Sequence, residues 1–249
     1  MYRFSFLSIV LACALAPALT AEDRGGTDRA FANLPRPGSV AADKDRGEVI
    51  LSATVQHPRD KPCIDDWGER IQAFAGCAKA AGGDAKMAGY FVFLVDVPTE
   101  DVYDALVKLG AKTRVSYSME VGRKHSGLKP DTSPADYLQG DPVVLSVFWK
   151  DGDKWTERPY QDFVKERVLV ENKPVEKPWT PSFVFHGSGV IHKSGTGCIA
   201  CPCDCAGGII ADNRNPLYEP KPMVKFDMSR TPKVGTQVYV RIRPVVSRN

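Results

Sequence analysis

The chain has 249 residues, 43% of them hydrophobic and 25% charged, which is enough apolar material for one or two globular domains with a real core. Its 33 basic and 30 acidic residues leave a net charge of +3. The basic residues are dispersed rather than clustered, which argues against nucleic acid as a partner.

The N-terminus reads as a secretory signal peptide over residues 1–21: Arg3 supplies the charge, Phe4 to Ala18 is almost wholly apolar, and small residues follow to Ala21. The apolar run is too short for a membrane span. Val10-Leu11-Ala12-Cys13 also resembles a lipobox, in which case Cys13 would be a lipid anchor. No twin-arginine pair precedes the run, so export is expected unfolded, without a preassembled iron–sulfur cluster. Residues 22–46, rich in Gly, Pro, Ala and charge, read as a tether of low order, with the domain proper over 47–249.

Glu48 to Gln56 alternates as a first strand, with Val49, Leu51, Ala53 and Val55 on one face. Cys63 to Ala80 fits either a helix or a turn and strand, and the strand is preferred because it leaves a Cys63–Cys77 bridge possible. Tyr90 to Val97 has the length of a buried strand, Thr99 is expected to cap a helix opened by Glu100 and Asp101, and Gly110 ends it. Thr113 to Val121 alternates as a strand, and Gly122 to Gly140 reads as a long loop. Val143, Leu145, Val147 and Trp149 alternate up to a hairpin turn at Asp151-Gly152. Pro159 to Lys165 suggests a short helix, and Ser182–Phe185, Gly208–Ala211 and Thr236–Val245 suggest strands, with Tyr218 to Pro232 irregular. The expected architecture is α+β: a mainly antiparallel sheet with one or two packed helices in a single compact domain.

The chemistry concentrates in Cys198-Ile199-Ala200-Cys201-Pro202-Cys203-Asp204-Cys205, inside a glycine-flanked loop spanning 195–208. In an extended segment Cys201, Cys203 and Cys205 share a face, and Cys198 joins them if the backbone bends. Thiols converging in this way suit a soft metal, zinc or copper, with His186 and His192 as further candidate ligands. Six cysteines in an oxidising space after loss of Cys13 usually mean disulfides, which is the plainer reading. A thiol-dependent or metal-dependent oxidoreductase is the third reading. There is no C-x-x-C-H for covalent haem, and His186-Gly187-Ser188-Gly189 is not a nucleophile elbow.

Three blocks are similar to the YdjY-domain family of exported bacterial proteins: Tyr90–Pro98 with Asp101–Gly110, Val147–Gly152, and Ser182–Gly189 with Gly208–Asp212. The resemblance implies a shared fold over most of Gly47 to Pro216 and no established reaction. The acidic residue that such proteins carry just before the first of these strands has no counterpart in Met87-Ala88-Gly89-Tyr90. The cysteine segment stands out as an addition between the last two blocks. The resulting expectation is an exported periplasmic or envelope domain, non-catalytic, that binds a soft metal or an envelope protein partner through Cys198, Cys201, Cys203 and Cys205. A disulfide-stabilised module of an envelope assembly remains the alternative to both binding and redox chemistry.

Overall fold

The computed structural model describes residues 31, 34–57, 73–80, 83–113, 138–191, 193–215 and 224–245. The signal peptide, Cys13, Cys63, His125, His192, the strand expected after Thr113 and most of the loop before Gly140 lie outside the described residues.

The first strand, β1 (Val40–Asp43), lies inside the stretch read as a tether and pairs antiparallel with β2 (Glu48–Val55). The folded unit therefore starts earlier than residue 47. β3 (Ala73–Cys77) supports the strand reading of its region, and β4 (Lys79–Ala80) and β5 (Gly83–Asp84) form a small ribbon. β6 (Phe91–Val95) is the expected buried strand.

Pro98 follows it as the N-cap of the helix Thr99–Lys108, so Thr99 is the first helical residue and its hydroxyl makes no capping bond. Glu100 and Asp101 in the first turn and Lys108 in the last complement the helix dipole. Val102, Ala105 and Leu106 are buried, and the helix packs on β1, β2, β4 and β12. Gly110, at φ +90°, turns the chain out of the helix, a conformation that costs glycine nothing.

β7 (Asp141–Asp151) and β8 (Lys154–Pro159) form the expected hairpin around Gly152-Asp153. A single 3-10 turn, Tyr160–Phe163, leads into a second hairpin, β9 (Val164–Val170) and β10 (Lys173–Pro178), joined at Glu171-Asn172 with both residues at positive φ. With β14 (Val224–Phe226), which lies in the stretch read as irregular, these make a separate three-stranded sheet that the sequence reading did not assign. β11 (Phe183–Phe185), β12 (Cys198–Cys201), β13 (Ile210–Asp212) and β15 (Gln237–Pro244) complete the inventory.

The architecture corrects the α+β expectation. Strand order runs β2-β15-β7-β11-β13-β12-β3-β6, and β6 pairs back onto β2 through Ala53↔Val95, Thr54↔Leu94 and Val55↔Phe93. The sheet is thus a closed eight-stranded barrel, and the protein is mostly β. Closure works because β2 shares one edge between two partners, β1 along Glu48–Leu51 and β6 along Ala53–Val55, while β15 takes the other edge. It removes the exposed ladder groups of an open sheet without needing helices to cover them.

Val49, Leu51, Ala53 and Val55 meet Val143, Leu145, Val147, Val238, Val240 and Ile242 in one core. Phe74 adds edge-on contacts to Phe93 (5.1 Å) and Tyr160 (4.7 Å). A buried charge network sits beside it. The Arg241 guanidinium, 1% exposed, lies 4.4 Å over the Phe148 ring and pairs with Glu48 and Glu157, while Glu48 also holds Arg46 and Arg243, each at 3.0 Å.

Candidate functional site

β12 carries the first two cysteines of the motif. It runs parallel to β13 on one side and antiparallel to β3 on the other. Residues three apart in a regular strand point to opposite faces. Here the register shifts between Cys198, paired with Gly76, and Ala200, paired with Ala75, so one extra residue is accommodated. As a result Cys198 and Cys201 share one cluster, while Ile199 and Ala200 between them belong to the main core.

The strand ends at Cys201, so the alternation expected to carry Cys203 and Cys205 does not continue. Pro202 to Asp204 bends instead. The bend is held by Asp204 N–H donating to Asn215 O (2.8 Å), Asn215 Nδ2 donating to Pro202 O (2.6 Å), and Leu138 N–H donating to Asp204 Oδ1 (3.1 Å). This folding-back brings Cys203 and Cys205 to the same cluster, against Phe91, Met87 and Leu94. Cys198, Cys201 and Cys203 are buried, and Cys205 is half-buried at the edge.

Glycines set the closeness of the parts. The Phe91 ring lies over Gly76, where any side chain would collide with it. Gly189 N–H donates to Gly208 O at 2.7 Å, and a methyl on Gly189 would fall 2.5 Å from Gly207 O. A methyl on Gly208 would fall 3.2 Å from Cys198 Sγ and 3.3 Å from Cys201 Sγ, so both sulfurs border the same backbone position. The Ser194 and Thr196 hydroxyls donate to Gly207 O and fix the return of the loop.

The thiols of Cys198, Cys201 and Cys205 influence one another's protonation. Donation to Cys198 and burial raise the Cys201 thiol well above its usual range, against the bond it receives from Cys205. Donation to Cys201, then burial, does the same for Cys205, opposed by the Gly207 amide at 3.4 Å. The bond from Cys201 pulls Cys198 down, but burial and the neighbouring thiols outweigh it and leave Cys198 raised. All three thiols are thus held above their usual range. Cys77 is separate, buried in the main core, its thiol pushed up to about 12 by burial and by Glu100 and Asp101, against the nearby Thr99 hydroxyl.

Cys77, Cys198, Cys201, Cys203 and Cys205 are all unbridged. Among the described residues no three His, Cys, Asp or Glu side chains are already spaced to hold a metal ion. The structure thus gathers the four cysteines without closing them around a point. His186 follows β11, fully buried, and its Nδ1 accepts from Ser188 N–H at 3.1 Å, anchoring the helical turn Ser188–Ile191. His192 lies outside the described residues.

Two neighbours escaped the sequence reading. Met87 reaches the cluster because Met87 N–H donates to Thr196 O (3.1 Å) and Lys86 N–H to Gly195 O (3.0 Å), laying this segment along the loop. Tyr160 is fully buried, and its hydroxyl is pushed up by burial first and then by Asp212, Cys203 and Cys201. Neither residue is marked by spacing, since each approaches from a distant part of the chain.

No helix among the described residues is long and apolar enough to cross a membrane. No curated protein and no solved structure compared with this chain matches it. A family model described as the YdjY domain matches residues 40–243, from β1 through β15 and including the cysteine segment. The chain belongs to the YdjY-domain family.

Proposed function

We propose that this is an exported, non-catalytic domain that binds one soft metal ion through the thiols of Cys198, Cys201, Cys203 and Cys205. The observation that carries the reading is geometric: Cys198 Sγ and Cys201 Sγ border Gly208, Cys205 Sγ borders Gly207, and Cys203 belongs to the same buried cluster. Zinc and copper are the ions suited to clustered sulfur ligands. Cys203 borders the same cluster and completes it. Loading then means losing thiol protons and drawing together sulfurs that share one cluster.

A second reading rests on the same closeness: Cys198 and Cys201, both bordering Gly208, would oxidise to a disulfide in an oxidising compartment. The experiment is metal content beside free-thiol count for the mature protein, purified reduced and exposed to zinc or copper. About one ion per chain is expected for a thiolate site of this size. Cys201→Ser, which removes one of the two sulfurs bordering Gly208, should abolish it while the domain still folds. Metal-free protein with two thiols missing would favour the disulfide instead. Mass spectrometry of the exported product should place its N-terminus near Glu22, or show a lipidated Cys13. An intact Met1 on a cytosolic product would refute export.

A further inference from the structure

We propose a second binding site, independent of the cysteines, for a short peptide with both ends free. It is a crevice between the 3-10 turn Tyr160–Phe163, the paired ends of β9 and β10, and another 3-10 turn, Met228–Arg230. Asp162 takes the peptide's ammonium group, and Lys177 and Arg230 take its carboxylate.

The fold holds this crevice in shape. Lys165 Nζ donates to Glu176 Oε2 at 3.0 Å and lies 3.4 Å from Asp227 Oδ2. Asp227 caps the second turn, its Oδ1 accepting from Ser229 N–H (3.1 Å) and Ser229 Oγ (2.6 Å). Asp227 N–H in turn donates to Phe163 O at 2.7 Å, which ties the two turns together. Tyr160 and Phe163 are buried in the core, while Gln161 and Asp162 between them line the crevice. The walls are therefore set before any ligand arrives.

The charges left over define the ligand. The cavity measures about 420 Å³, within the roughly 300–1,000 Å³ of small-ligand sites. Lys165, Lys177 and Arg230 balance Asp162, Glu176 and Asp227, so the lining favours neither a polyanion nor a polycation. Lys165, Glu176 and Asp227 already satisfy one another. Asp162, Lys177 and Gln161 have no side-chain partner among the described residues. Arg230 makes one long contact, Nε to Asp227 Oδ2 at 3.6 Å, and its two terminal nitrogens stay open. An open guanidinium fork matches a carboxylate, and an open carboxylate matches an ammonium. A zwitterion supplies both.

The strand edge limits its length. β10 is an outer strand of the three-stranded sheet. The bond from Asp227 N–H to Phe163 O means that Lys165, Arg167 and Leu169 turn their backbone groups toward β14's side. Their partners on β10, Pro178, Glu176 and Pro174, therefore turn theirs outward, and two of those three residues have no N–H. A long strand cannot extend the ladder there, whereas a short peptide held by its ends does not need to.

The test is calorimetric titration of the purified protein with trialanine, and with its N-acetylated and C-amidated forms. Trialanine should bind saturably at about one equivalent, and blocking either end should weaken it by about tenfold or more. Asp162→Asn should erase the penalty of N-acetylation. Arg230→Gln combined with Lys177→Gln should erase that of C-amidation. Melting temperatures should hold in all these variants, since none of the three side chains is buried. Cys201→Ser should bind trialanine like wild type, so this result and the metal result stand or fall separately. No saturable binding of trialanine, equal affinity for free and blocked peptides, or penalties that survive the substitutions would each overturn the proposal.

Discussion

Gly208→Ala separates the geometry of the thiol cluster from the identity of its thiols, because it alters no sulfur. The backbone at Gly208 is not in the left-handed region, so alanine suffers no conformational penalty there. The methyl would, however, stand 3.1 Å from Cys198 O, 3.2 Å from Cys198 Sγ and 3.3 Å from Cys201 Sγ. Each contact is tighter than ordinary van der Waals separation by a few tenths of an ångström, and all three fall on one strand. Relief requires the two sulfurs to part or β12 to move away from Gly208. Overpacking of this kind costs about 1–3 kcal/mol, measured as a lowered urea midpoint with unchanged slope. Parting the sulfurs should also weaken metal binding by about tenfold or more. Gly152→Ala is the control: Gly152 sits at φ +60° with nothing within 4 Å of the added methyl, so it should lose about 1 kcal/mol through the backbone alone and bind metal normally. Gly208→Ala with wild-type stability and wild-type metal affinity would refute the placement of Cys198 and Cys201 around this glycine.

Leu106→Ala should cost about 2–5 kcal/mol in chemical denaturation, since Leu106 is fully buried under the helix, and a loss below about 1 kcal/mol would show the helix packed on another face. Glu157 accepts from Ser146 Oγ at 2.6 Å, and although burial pushes its carboxyl up, Ser146, Arg241 and Arg243 outweigh this and hold it below its usual 4.5. A depressed carboxyl contributes stability that is full above 4.5 and is lost as pH falls through the folded value. Wild type should therefore exceed Glu157→Gln in stability at pH 7, with the gap shrinking below pH 4.5, and a gap that widened on acidification would contradict the assignment. Cys77, fully buried with its thiol pushed up to about 12, should resist iodoacetamide in the native protein at pH 8 and react once unfolded. Rapid native alkylation at Cys77 would place it outside the core.

Much of this protein was legible one segment at a time. Alternation marked β2, β7 and β15, the apolar run marked β6, and acids after Pro98 with Gly110 beyond marked the helix, because these signals act over a few neighbouring residues. The family followed from the order of such blocks, and the cysteine segment named itself by density. Barrel closure was not legible, since the pairing of Val55 with Phe93 depends on how every strand between them is placed. The hairpin β9–β10 and strand β14 were missed because their charged, proline-containing segments carry little local pattern and are organised largely by pairing with one another. At the site, spacing predicted one face for three cysteines by continuing a strand, yet the strand stops at Cys201. What gathers the four thiols is a register shift against β3, a bend held by Asn215 and Leu138, and Phe91 seated on Gly76. Met87 reaches the cluster from a distant part of the chain. Those contacts join residues tens of positions apart, and only the folded barrel brings them within reach of one another.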